Sequence, residues 1–403
     1  MLLKKELSLT FRGLTYWLAV LFIGVFLFTQ LGSDFISLKQ PEPGQSDYGI
    51  AHTTNKKDIQ QQTIYNLLQQ SNNESYNTYP LGFLKIVKPS KSDQAAIEKI
   101  IERATGRSIN QLNQIQTSHM TSTPAQQFNP FTMAEQIPIA KSYTYKHFEK
   151  DMTEVEKIIG KGSDFAKNTY LHQSYNKLNY EEANHNFQTT LTKDRVSGAF
   201  ARMTCDYLGI ILALVPVFVA ATVVLRDRRS QSQLVIQTKR ISSFKLQGTR
   251  FLATVILLLL PVIVFSFLPA FQSVYVAQKY QHTGSLFLFY QYILGWLLPT
   301  IVAVVGISFL VTTLFNGLVS VLFQLGLWLL SLLVNGRQVV GSIGLNLIPR
   351  FNAVGSRELF EGIFTELVVN RVFWFALGVI CFLISCVIFD LKRKGRIHYG
   401  HPR

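Results

Sequence analysis

Long apolar blocks alternate with charged margins along this chain. Residues 13–33, 207–225, 251–278, 280–336 and 372–389 contain no Asp, Glu, Lys or Arg. About 20 apolar residues in a helix cross the hydrocarbon core of a bilayer. Four blocks therefore predict one span each, at 13–32, 207–225, 251–271 and 372–390. The block 280–336 is 57 residues long, and as one helix it would measure ~85 Å. It predicts two spans, 286–312 and 317–334, with a turn at Asn316 and Gly317. A single block could equally be a buried core helix, but five with charged margins favour a membrane. The first block could also be a cleaved leader. Its continuation, Phe28-Thr29-Gln30-Leu31-Gly32-Ser33, lacks a small-x-small pattern, so it is read as retained. The expected fold class is an all-α polytopic membrane protein: six transmembrane helices, with a mostly helical extracellular domain at 33–203 between spans one and two.

Within that polar segment, three stretches carry helical periodicity. Asp93 can cap a helix whose Ile97, Ile100, Ile101 and Ala104 share a face and which Gly106 ends. Phe148, Met152, Val155 and Ile159 repeat the pattern before Gly160. Tyr180, Ala183, Phe187 and Leu191 repeat it again, leading into the second span. The Gln-, Asn-, Ser- and Thr-rich residues 105–130 read as loop.

Charge sets the orientation. The chain is 48% hydrophobic yet carries a formal net charge of +15. With the N-terminus inside, the cytoplasmic segments hold fifteen Lys and Arg, at 1–12, 226–250 and 391–403. The short outer connections hold five: Lys279, Arg337, Arg350, Arg357 and Arg371. That bias places both termini in the cytoplasm, and anionic lipid accounts for the basic balance without nucleic acid. The polar segment, with 19 basic and 17 acidic residues, is no trap for a highly charged partner. Cys205, Cys381 and Cys386 lie in or beside spans and read as small hydrophobes. None falls in the outer segment, so no disulfide framework is expected there.

Candidate chemistry is sparse. An intramembrane hydrolase needs a proton carrier within its spans, and Asp206 and Asp390 fall only at span ends. There is no His-Glu-x-x-His motif, and His172 and His185 read as isolated surface residues. Gly160-Lys161-Gly162-Ser163 lacks the leading glycine and the Lys-Ser/Thr adjacency of a phosphate loop. No catalytic residue, cofactor site or metal site is expected. Gln291, Asn316, Gln324 and Ser331 are polar groups at helix depth, with Pro216, Pro261, Pro269 and Pro299 as expected kinks. Amides there either bond neighbouring helices or line a translocation path, and packing is the simpler reading. The segment 226–250 opens Arg226-Asp227-Arg228-Arg229, continues through an apolar ridge at Leu234, Val235 and Ile236, and reaches Ser242 and Ser243, a serine cap for the next helix. Such a segment can lie on a lipid surface or dock in a partner's groove.

Residues 196–202, Asp206-Tyr207-Leu208-Gly209, Leu214-Val215-Pro216-Val217-Phe218 and 224–229 resemble the second span and following loop of bacterial type-two ABC permeases. Ile348-Pro349-Arg350-Phe351-Asn352, Val369-Asn370-Arg371 and the closing Leu391-Lys392-Arg393-Lys394-Gly395 resemble the last outer connection, final span and basic tail of the same group. The resemblance covers about the C-terminal half. It implies a non-catalytic permease subunit, an exporter, in a bacterial plasma membrane. It also implies pairing with a second permease subunit, identical or not, and with cytoplasmic ATPase subunits that hold ATP and Mg. The loop after span two would then be a coupling helix making ATPase contact through Arg226, Asp227, Arg228, Arg229, Leu234, Val235, Ile236, Ser242 and Ser243. Residues 1–12, with Leu2, Leu3, Leu7 and Phe11, would form an amphipathic elbow. A low-cysteine outer domain and a Lys/Asn/Gln-rich composition suit a Gram-positive bacterium. Two rivals stand: a complex that transmits ATPase motion to the outer domain without moving a substrate, and an ATPase-independent receptor or scaffold.

Overall fold

The computed structural model describes residues 2–32, 38–122, 134–232, 235–236, 240–315, 317–333, 343–351 and 353–396. The chain is mostly helical with little sheet. Helix α1 (Leu2–Phe11) meets α2 (Leu14–Leu31) at the extended Gly13. The other bundle helices are α9 (Ser197–Leu212), α10 (Pro216–Arg229), α11 (Ser243–Lys279), α12 (Leu286–Phe315), α13 (Val319–Leu332) and α14 (Arg357–Arg393). Four of them, α2, α11, α12 and α14, are long and apolar enough to cross a membrane. The chain is thus a membrane-embedded protein.

The remaining apolar elements differ from the expected spans. Helices α9 and α10 form a pair bent by 44°, a fifth crossing if counted as one. The bend falls at 213–215, just before Pro216, which has no N–H for the ladder and starts α10 at a position where none is needed. The carbonyls released at the bend find donors on α13: Gln324 Nε2 donates to Ala213 O at 2.6 Å and Trp328 Nε1 to Ile210 O at 2.9 Å. Helix α13 has 14 residues, ~21 Å. By contrast α11 runs unbroken through Pro261 and Pro269.

The last helix starts at Arg357, well before the apolar block at 372, with Leu359, Phe360, Ile363 and Leu367 buried along one face of its first turns. Parallel helices α12 and α14 form the tightest interface. Thr300 pairs with Arg371 at 2.8 Å, Gly306 faces Gly378, and Thr313 pairs with Ser385 at 3.1 Å. A Cβ on Gly306 would lie 2.0 Å from the Gly378 carbonyl oxygen. Close helix approach in membranes depends on such small residues. Gly306→Ala should therefore force the helices apart at a cost of about 1–3 kcal/mol, read as a lower thermal midpoint. Ala at Gly326, where an added Cβ meets nothing within 4 Å, should leave it unchanged.

The polar domain has its own core. Helices α3 (Lys56–Asn72), α4 (Lys91–Thr105), α5 (Ile109–Ser122), α6 (Tyr145–Ile159) and α7 (Lys167–His172) surround it, while α8 (Tyr180–Thr192) packs Phe187 and Leu191 into the bundle core. Ile64, Leu67, Ile97, Ile101, Phe148 and Val155 are buried within it. Two small antiparallel sheets complete the domain: β1 (Ile50–His52) with β4 (Tyr175–Lys177), and β2 (Tyr76–Thr78) with β3 (Lys85–Val87). The expected faces of α4 and α6 are buried, and Gly106 ends α4 in the left-handed conformation at φ 68°. Ser90, not Asp93, caps α4; Asp93 sits at the third helical position with its N–H on the serine oxygen. The expected loop at 105–130 contains α5 instead. Its Ile109, Leu112 and Gln116 fall on one face, Leu112 is fully buried, and glutamine is a good helix former. Residues 123–130 lie outside the described residues.

Histidine 52 joins β1 to α7 by bonding the Leu171 carbonyl at 2.5 Å. Burial lowers its pKa below 6.5; His172 adds to that, while the Leu171 bond and Glu358 oppose it. The unfolded chain then binds more protons, so stability rises as pH climbs from the folded pKa to about 6.5 and is level above. His52→Gln should flatten that slope in thermal melts taken from about pH 5 to pH 8.

Candidate functional site

Acids are rare in the C-terminal half. Asp227 is the only Asp or Glu between Asp206 and Glu358, and Glu6 is the only one in residues 1–33. These scarce acids are buried in ion pairs. Glu6 on α1 binds Arg226 at the end of α10 and reaches Arg250 on α11 at 3.4 Å. Asp227 accepts from Arg250 at 2.8 Å. Glu6, Asp227 and Arg250 are each less than a tenth exposed. Two acids and two bases balance, as buried charge requires. The elbow is thereby tied to both helices that bound the following segment. It packs its polar face inward, with Glu6 and Thr10 buried and Leu2, Leu3 and Leu7 half-buried.

Because α10 continues to Arg229 and α11 starts at Ser243, the connection between them is 230–242, narrower than the expected 226–250. Its far end is also pinned. Ser242 caps α11 by accepting from Lys245 N at 3.2 Å. Ser243 is buried and donates to Asp390 at 2.8 Å, and Arg393 of α14 donates to Ile241 O at 2.5 Å. Next to it Lys392 donates to Thr313 O and Leu314 O, the open carbonyls at the end of α12. Between these anchors, Arg228, Arg229 and Arg240 are exposed, Val235 is 59% exposed, and Ile236 is half-buried in a short helical piece. Leu234 lies outside the described residues. The patch therefore presents cations around an apolar side chain on a rigid frame.

A second ionic node sits at the opposite end of α9. Arg202, fully buried, donates to both oxygens of Asp194 at 2.8 and 2.6 Å and to Gly355 O at 3.1 Å. Arg357 of α14 adds a contact to Asp194 at 2.9 Å. The Arg202 guanidinium lies over the Phe360 ring at 4.7 Å. Four residues on, Asp206 is buried with Arg350 at 2.9 Å. Asp206, expected at a span end, thus lies inside α9, where its charge is matched. Here α8 of the polar domain turns into α9 through Arg195 and Val196, at φ 50° and 58°. Positive φ is strained for a β-branched residue and persists only where surrounding contacts impose it.

The two nodes are joined by one bent rod. From Arg202 to Asp227 the α9–α10 path is ~37 Å long, with its bend held by Gln324 and Trp328. Gln324 is thus a packing residue, fully buried against Ala213. Gln291 is exposed on a groove between α12 and α14. Asn316 lies outside the described residues, between the end of α12 at Phe315 and the start of α13 at Val319. Hydropathy hid Glu6, Arg250, Asp194, Arg202 and Arg371 as candidates, and the scarcity of acids was the signal that could have found Glu6 and its partner Arg250, whereas Asp194 lies in a segment rich in acids. Among the described residues no group of three or more His, Cys, Asp or Glu could hold a metal ion. No protein-family model matches the chain, and neither a curated protein nor a solved structure does.

Proposed function

We propose that this chain is the permease subunit of an ATP-driven bacterial ABC transporter, probed by its partner through residues 228–242. The observation that supports the reading is the pinned patch: a basic surface with exposed Val235, held at one end by buried ion pairs to α1 and α11 and at the other by hydrogen bonds to α14. A patch on a rigid frame can pass on a push; one on a loose loop would absorb it. In this reading α13 and the bent pair complete six crossings, both termini are cytoplasmic, and the polar domain lies outside. Two copies or two related permeases pair with two ATPase subunits that bind ATP and Mg.

One observation favours a second reading, transmission of ATPase motion to the outer domain without transport. The Asp194 node welds α8 to both α9 and α14, so movement at one end of the rod reaches the polar domain directly. Vesicles reconstituted with the complete complex separate the two. The transporter reading expects ATP-dependent movement of a solute or lipid across the bilayer. The signalling reading expects ATP-dependent change in polar-domain protease sensitivity and no flux. Orientation is tested with single cysteines in a background lacking Cys205, Cys381 and Cys386. Cysteine at Ser92 should react with an impermeant reagent on intact cells, and at Ser232 only after the membrane is opened. Labelling of Ser232 in intact cells contradicts this topology.

A further inference from the structure

Helices α12 and α14 meet tightly at Gly306 and Gly378, and before that crossing they leave a groove of about 520 Å³ between them. Its walls are apolar, with Leu288, Tyr292 and Pro299 on one side and Phe364, Val368 and Phe375 on the other. One charged side chain, Arg371, lines it. Its N–H groups are all directed at neutral acceptors: Asn370 Oδ1, Thr300 Oγ1, Trp296 O and Leu347 O. Among the described residues no carboxylate lies within 4.0 Å of it. Every other deeply buried guanidinium described above, Arg202 and Arg250, has a carboxylate partner. The positive charge of Arg371 is thus solvated by dipoles but not neutralised, and in a low-dielectric wall a counter-charge would be strongly favoured.

We propose that the groove binds an anionic phospholipid of the surrounding bilayer, its phosphate beside Arg371 and an acyl chain along the apolar walls. Charge complementarity selects the head group. Two neutral donors supply direct hydrogen bonds: the exposed Gln291 amide, and the Trp296 Nε1–H, which is buried with no acceptor among the described residues. Basic pockets between membrane helices are suited to lipid phosphates. The inference rests on membrane embedding alone and does not depend on the transporter reading.

The test uses the purified full-length chain, equilibrated with phosphatidylglycerol or with phosphatidylcholine of the same acyl chains, and native mass spectrometry to count retained lipid. Wild type should retain phosphatidylglycerol in preference, and its thermal midpoint should rise with that lipid alone. Gly295 lines the groove, and a Cβ there meets nothing within 4 Å. Gly295→Phe should therefore fill the groove without disturbing the Arg371 contacts, and cut retained phosphatidylglycerol about tenfold, a change any assay of binding free energy resolves. Arg371→Gln should erase the preference for the anionic lipid while leaving some apolar binding. Equal retention of both lipids by wild type would overturn the proposal. So would undiminished phosphatidylglycerol on a folded Gly295→Phe protein. A shift of Gly295→Phe from dimer to monomer mass with lipid unchanged would assign the groove to a second copy instead, and also overturn it.

Discussion

Replacing Glu6 with Gln should release the N-terminal elbow from the bundle. Glu6 is 4% exposed and lies between Arg226 and Arg250, with Asp227 the other acid of the cluster. Glutamine keeps the shape and removes the charge, leaving two guanidinium groups facing one carboxylate in a buried site. Breaking a buried ion pair by removing one partner costs about 3–5 kcal/mol, a large fraction of ordinary domain stability. The cost is larger than that of an exposed pair because little water reaches Arg250 to screen it. Trypsin should then cut at the exposed Arg12 in the folded variant faster than in wild type, and the thermal midpoint should fall. A double variant, Glu6→Gln with Arg226→Gln, restores the charge balance and should recover part of the loss. Equal midpoints for wild type and Glu6→Gln would show that the cluster does not hold the elbow.

The second large effect is expected at the other node. Asp194 binds Arg202 through both oxygens and Arg357 through one. Asp194→Asn strands Arg202, which has no exposure to water, with only the Gly355 carbonyl and two aromatic faces beside it. The expected loss is again about 3–5 kcal/mol, but its location differs. Hydrogen exchange should speed up across residues 190–205 and the first turns of α14, while α3, α4 and α6 keep their protection because their core is separate. If exchange rises uniformly through the chain instead, the node is not a local joint between the polar domain and the bundle. Substitution of Arg357, the more exposed partner, should cost much less than loss of Asp194.

The two nodes also show what patterning can and cannot reveal. The buried faces of α4 and α6 were legible because Ile97, Ile101, Phe148 and Val155 recur at helical spacing, and a face needs no knowledge of its partner. The long apolar helices were legible for the same reason: hydropathy is a property of one segment. The broken helix was only half legible. Pro216 marked the site, but the donors that make the bend tolerable, Gln324 and Trp328, are more than a hundred residues away. The ionic nodes were hidden for the same cause, since Glu6 and Arg226 are separated by 220 residues. Composition counted Arg226, Arg250 and Lys392 as membrane-facing anchors, whereas each is engaged by a carboxylate or by open helix carbonyls. Leu234, an expected ATPase contact, and Asn316, a polar group expected at helix depth, lie outside the described residues.

The central claim is that residues 228–242 seat this subunit on a separate ATPase. Paired Asp substitutions at Val235 and Ile236 test it most directly, because they place charge on the apolar part of the patch and touch no apolar helix. An unpaired charge desolvated in a packed contact costs several kcal/mol, enough to lower complex occupancy by orders of magnitude. The chain should insert and melt as wild type does, since Glu6, Asp227, Arg250 and Ser243 keep their contacts. The measurement is quantitative co-purification of nucleotide-binding subunits with the tagged chain, together with ATP hydrolysis by the isolated complex. Loss of both at unchanged chain stability is the predicted result. A double variant that retains its ATPase subunits and drives them normally would contradict the claim and leave the patch as a contact with the lipid surface.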